Sequence, residues 1–154
     1  MRYGQKMDSI FQIIKYPVLW LFAAFYPMLI SIYVFLPLFI GLMGYIMIEG
    51  IAKERWSYVL LALIYFVSLE INLSLPIFLT VVATLFVYLF FYYNLSYFRH
   101  CVVCTPLITA FLIDIVYLGV ILGYDFVFQT ESIILDKILL YSLVVDMLAV
   151  VIFI

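Results

Sequence analysis

Residues 57–97, SYVLLALIYFVSLEINLSLPIFLTVVATLFVYLFFYYNLSY, hold two long apolar runs on either side of one short polar joint. The first run carries a single acid, Glu70, near its far end, and the second, 77–93, carries no charge. A bilayer core about 30 Å thick takes about 20 apolar residues of helix to cross. The stretch therefore predicts a transmembrane helical hairpin turned at residues 72–76. Pro76 is expected in the first turn of the second helix, where a missing N–H costs nothing. Glu70 is expected to reach the free backbone N–H groups that open that helix, because helix starts attract acceptors and anions.

The rest of the chain has the same character. Of 154 residues, 70% are hydrophobic and 10% charged, against an apolar content of about 45–50% in soluble domains. Mean hydropathy is +1.34. Continuous apolar runs exclude the alternating strands of a membrane barrel. The expected fold is all-α: one integral membrane domain, 1–154, with no repeats, no linkers and no room for a soluble domain. A net charge of −2 without a basic patch argues against nucleic acid as a partner. The N-terminal basic residues and following apolar run lack a small-residue cleavage site, so an uncleaved first helix is expected.

Charge placement sets the expected number of spans. Residues 16–48 form a charge-free run of 33 residues, too long for one crossing. A turn near Tyr26 and Pro27 would divide it into spans 9–26 and 28–48, leaving Lys15 to snorkel or pair inside the first. The alternative is one tilted helix kinked at Pro27 and Pro37, giving five spans in all. Two spans place Arg2, Lys6 and Lys15, then Lys53 and Arg55, then Arg99 and His100 on one side, as the bias of Lys and Arg toward cytoplasmic loops requires. The further spans are 56–72, 76–97, 103–123 and 133–154. The loop 124–133, with Asp125 and Glu131 and no base, falls outside, and Lys137 snorkels. Both termini are then cytoplasmic.

Three sets of residues are candidates for chemistry. Cys101 and Cys104 form a CxxC after His100, the only histidine. Such a pair serves in thiol redox or as half a zinc site. No further cysteine pair or ligand set accompanies it, so packing at a helix start is the plainer reading. Glu70, Asp114 and Asp146 lie within spans, where a charge costs about 2.5–3.5 kcal/mol at a helix centre. They must face the bundle interior, either to relay a proton or cation or to bond helices together; the second reading is the simpler, as no substrate path is evident. The 15 Phe, 14 Tyr and 2 Trp place Tyr16, Trp56, Tyr97 and Tyr124 at span ends as interfacial anchors. The residues 90–93, Phe-Phe-Tyr-Tyr, cannot all face inward. No nucleotide, hydrolase, metalloprotease or haem motif is present, and neither a catalytic activity nor a cofactor or metal is expected.

Residues 37–88 resemble MreD, the rod shape-determining membrane protein family of bacteria. The stretch PLFIGLMGYIMIEGIAKERW from Pro37 matches a proline-led, aromatic-rich span followed by a short charged loop. Leu69 and Glu70, a joint with Asn72 and Ser74, then Pro76, Leu79, Leu85 and Tyr88 match the family's next hairpin. The family usually has aspartate where Glu70 stands and glycines where Leu73 and Leu75 stand. The resemblance implies a non-catalytic adaptor of the cell-elongation machinery in the bacterial inner membrane, supporting lateral peptidoglycan synthesis. It implies an MreC-like partner, other elongation-complex membrane proteins, and a fold similar to the substrate-binding subunits of energy-coupling vitamin transporters. Glu70, Asn72, Ser74, Pro76, Asp114 and Asp146 are the candidate structural or partner-binding residues. Two other readings stand beside this one: a small transporter subunit binding an apolar or vitamin-like ligand, and a thiol-redox membrane protein using the CxxC.

Overall fold

The computed structural model describes the backbone of residues 2–33, 35–94, 103–129 and 133–153, and the side chains within these except 2–16, 133–136, 138, 139 and 153. The described chain is helical, with no strand among the described residues. Helix α1 spans Arg2–Ile32, α2 Ile40–Ala52, α3 Trp56–Asn72, α4 Leu79–Val87, α5 Cys104–Phe128 and α6 Ile133–Phe153. The last turns of α4 widen into a π-helical segment, Tyr88–Tyr92. By length and composition α5 is long and apolar enough to cross a membrane. The other apolar helical stretches are shorter: Pro17–Ile32, Ile40–Ala52, Trp56–Asn72, Leu79–Tyr92 and Leu140–Ile152.

The boundaries differ from the sequence expectation in three places. The chain does not turn at Tyr26 and Pro27: α1 runs through Pro17 and Pro27. A proline inside a helix removes one backbone bond and bends the axis, and apolar packing tolerates that. The break falls at residues 33–39 instead. There Pro37 disfavours helical geometry in Leu36, and Phe39 takes a left-handed conformation at φ 48°. At the second hairpin, α3 continues to Asn72 and α4 starts only at Leu79, so Pro76 lies in the joint and not in a helical turn. Ser74 (φ 55°) and Phe78 (φ 70°) make that joint longer than the proline alone implies. Beyond it, α5 extends to Phe128 and takes in Asp125, which was expected in a loop. Arg99, His100, Cys101 and Glu131, and the side chains of Arg2, Lys6, Lys15 and Asp136, lie outside the described residues.

Two helix ends share one device. Leu75 N–H donates to Glu70 O at 2.9 Å, closing α3 around left-handed Ser74, and Arg55 N–H donates to Gly50 O at 2.8 Å, closing α2 around left-handed Glu54. This is the wide terminal turn that usually uses glycine. Glu54 belongs to a charged α2–α3 turn in which Lys53 and Glu49 pair at 3.2 Å. Arg55 lies over the Tyr58 ring at 5.9 Å.

Helix α2 occupies the centre, packed against α3, α4, α5 and α6, while α1 lies on α3. Gly44 makes the central approach feasible: a Cβ there would stand 2.8 Å from Ile113 Cδ1. The core is Met43, Ile48, Leu61, Tyr65, Phe66, Ile113 and Tyr117. Polarity is arranged inside out. Glu70, Thr80, Thr84, Thr109, Asp114, Ser142 and Asp146 are buried, whereas Phe35, Phe126 and Ile152 are each more than 80% exposed. The aromatic run divides as the sequence requires, with Phe90, Phe91 and Tyr93 facing outward and Tyr92 half-buried.

Candidate functional site

The three acids expected to bond helices together gather at two interrupted helix starts. At the first, the joint 73–78 delivers the chain into α4 with Phe78 left-handed, so the leading N–H groups of α4 lack helical partners. Glu70, in the last turn of α3, accepts from them. Its Oε2 accepts the Phe78 N–H at 2.6 Å. Its Oε1 accepts the Thr80 N–H at 2.8 Å and the Thr80 hydroxyl at 2.6 Å. Glu70 is fully buried. The contact expected from the sequence, a carboxyl across the joint on the start of the next helix, is therefore present, with Thr80 as an added donor.

Asn72, Ser74 and Pro76 shape the joint without touching that carboxyl through side-chain bonds. The Asn72 amide donates back along α3 to Ser68 O at 2.7 Å. Ser74 is exposed at its left-handed turn. With Leu75, Pro76, Leu79, Tyr124 and Asp125 it lines a cavity of about 360 Å³ against α5.

The second site is the start of α2. Here the structure brings Asp114 of α5 and Asp146 of α6 together over Gly41. Asp146 Oδ2 accepts the Gly41 N–H at 2.8 Å. One turn earlier on α6, the Ser142 hydroxyl accepts the Leu38 N–H at 3.0 Å. Two tyrosines satisfy the carbonyls of the same joint: Tyr65 of α3 donates to Leu38 O at 2.6 Å and Tyr26 of α1 to Pro37 O at 2.7 Å. The Tyr26 ring lies on Phe39 with centroids 5.2 Å apart and on Phe22 at 4.5 Å, and Tyr65 stacks on Phe22 at 6.3 Å. Gly41 is required, since a Cβ would stand 2.8 Å from Asp114 Oδ2 and 2.9 Å from the Ala110 carbonyl. Asp114 Oδ2, Asp146 Oδ1 and the Tyr117 hydroxyl are buried and make no hydrogen bond to the described protein atoms.

The two starts share a sequence. Leu36-Pro37-Leu38-Phe39-Ile40 and Leu75-Pro76-Ile77-Phe78-Leu79 are the same pattern 39 residues apart. In each, the phenylalanine is left-handed, and the N–H two residues on, of Gly41 or Thr80, is taken by a buried carboxylate. The shared word is five residues long, and apolar residues dominate every window of the chain around it. The two LP-x-F words were the available signal. Nothing in the sequence singled out Tyr26, Tyr65 or Ser142 from the other tyrosines and serines.

Cys104 opens α5 and is disulfide-bonded, which departs from simple packing of a thiol at a helix start. Its neighbour in the motif, Cys101, lies outside the described residues. Among the described residues, no three His, Cys, Asp or Glu side chains group as metal ligands. The geometry at both joints is that of side chains holding broken backbone. No protein-family profile, no curated protein and no solved structure matches this chain.

Proposed function

We propose that the chain is a multi-pass inner-membrane adaptor of the bacterial cell-elongation machinery, resembling MreD. In this reading all six helices lie in the bilayer, with both termini cytoplasmic, and intramembrane faces contact an MreC-like protein and other elongation-complex membrane proteins. The observation that carries the membrane part is the treatment of the two joints. Irregular backbone at membrane depth is tolerated only where protein satisfies its polar groups. Side chains from α1, α3 and α6 do that for Pro37, Leu38 and Gly41, and Glu70 does it for Phe78 and Thr80. The large apolar side chains, by contrast, are turned outward. The joints let α2 and α4, too short to cross alone, be completed by extended chain.

The adaptor part is supported by the resemblance at residues 37–88, which contain both joints, and by a built site made of helix-holding contacts. Glu70 fixes the angle between α3 and α4 and thereby the face offered to a partner. The test is co-purification of an MreC-like protein from rod-shaped cells together with cell shape. Glu70→Ala should reduce recovery of the partner and round the cells while the protein still inserts. Glu70→Gln, which retains an acceptor, should be mild, and Glu70→Asp tests reach alone. Normal shape and full recovery with Glu70→Ala would remove the assigned role. Reporter fusions after Lys53, after His100 and at the C-terminus should read cytoplasmic, and one between α5 and α6 external. An external reading at Lys53 would overturn the topology.

A second reading, a transporter subunit for an apolar ligand, is favoured by one observation. A wholly apolar cavity of about 250 Å³ lies between α1, α2 and α6, bordered by Val18, Phe22, Phe39, Leu42 and Ile152. Stabilisation of the purified protein by a vitamin-like ligand in a thermal-shift assay, lost when Leu42 is enlarged to Phe, would support it.

A further inference from the structure

Helix α2 starts against carboxyl groups from two other helices, and the hydrogen bond seen between them and its leading N–H groups runs from Gly41 to Asp146. Asp146 Oδ2 takes the Gly41 N–H at 2.8 Å. Asp146 Oδ1 and Asp114 Oδ2 receive no hydrogen bond from the described residues. Asp146 is fully buried and Asp114 is 6% exposed. The two carboxyl groups meet at one residue, Asp146 on the Gly41 N–H and Asp114 over its Cα. Asp114 Oδ2 sits directly over Gly41, 2.8 Å from the position of a Cβ.

Two ionised carboxylates are acceptors only, so a bond between them needs a hydrogen that neither supplies. Among the described residues no donor reaches Asp114 Oδ2 or Asp146 Oδ1, the buried Tyr117 hydroxyl included. Tyr26 of α1 and Tyr65 of α3 approach Asp146, but their hydroxyls donate to Pro37 O and Leu38 O. The described cations Lys53, Arg55 and Lys137 are exposed. A metal ion calls for more ligands than two carboxyls, and among the described residues no third His, Cys, Asp or Glu joins them. The start of α2 carries about half a positive charge, enough to face one anion in low dielectric and too little for two.

We propose that Asp114 and Asp146 form a buried proton-binding site, holding one proton between their facing oxygens across the start of α2. The pair then carries a single negative charge, and the shared proton fastens α5 to α6 over the one position, Gly41, where both can reach. Removing the proton places two like charges in contact and loosens both helices from α2. The site does not depend on which partner the protein serves.

The test uses the full chain purified in detergent. Infrared spectra at neutral pH should show a protonated-carboxyl C=O band that shifts in D2O. Asp114→Asn and Asp146→Asn should each remove it, and Glu70→Gln should leave it. Asp114→Asn should also keep the melting temperature, since its amide donates where the shared proton did. That variant should melt alike at neutral and mildly alkaline pH, whereas the wild-type protein should lose stability as alkali removes the band. A wild-type spectrum whose protonated-carboxyl bands survive both Asn variants, or that has none, overturns the proposal. So does stabilisation of the wild type by sodium, potassium or calcium at fixed pH without the band, which would make the pair a metal-cation site. Should either variant fail to fold, alkaline titration of the wild-type band against that of Glu70→Gln still decides.

Discussion

The starts of α2 and α4 use the same five-residue pattern and are held by different parts of the chain. At α4 the acceptor is local: Glu70 lies 8 and 10 residues before the N–H groups it takes. At α2 the acceptors lie 104 and 105 residues away, on α6. The first start can form as soon as the α3–α4 hairpin does, because closing a short loop costs little entropy. The second is complete only when α6 has docked. One hairpin is self-contained, and the other serves as the point where α1, α3, α5 and α6 converge.

Glu70→Ala gives the sharpest test of that difference and the largest expected effect. It strands two buried donors on Thr80, at about 1–3 kcal/mol for each that finds no other acceptor. Amide exchange should rise at the start of α4 and stay unchanged at α2. Exchange rising equally at both starts would show that the hairpins are not separate units. Gly41→Ala follows. Its Cβ would press on Asp114 Oδ2 and on the Ala110 backbone, and overpacking of this kind costs about 1–3 kcal/mol. Thr80→Ala, at the matching position of the other hairpin, introduces no such clash and should cost less. If Gly41→Ala proves as stable as wild type by thermal melting, the close convergence at α2 is not needed.

Tyr26→Phe and Tyr65→Phe each unpair one carbonyl of the α2 joint while keeping the ring, at about 1 kcal/mol apiece. They have no counterpart at α4, so melting should separate the two joints cleanly. The smallest effect concerns the left-handed phenylalanines. Phe78 is 52% exposed, and a left-handed residue with a Cβ carries about 1–2 kcal/mol of strain. Phe78→Gly should therefore be neutral or slightly stabilising. Phe39→Gly relieves the same strain but empties the ring cluster of Phe22, Tyr26 and Tyr65, and should destabilise. Equal effects at the two positions would mean that the ring cluster contributes little.

The all-helical class, six helices and the contact of Glu70 with the next helix were legible in the sequence. Each rests on neighbours along the chain: uninterrupted apolar runs, punctuation by proline and charge, and an acid one turn from a joint. The first break was misplaced because proline marks a break only when its surroundings agree. Pro17 and Pro27 are absorbed into α1, while Pro37 is followed by a left-handed Phe39 packed against the rings of Phe22 and Tyr26. The meeting of Asp114 with Asp146 and the choice of Tyr26, Tyr65 and Ser142 were decided by tertiary structure alone. On a helix apolar all round, no amphipathic stripe tells which side faces inward. Only the packing of α5 and α6 against the glycine that opens α2 selects the rotation that turns both acids to the same place.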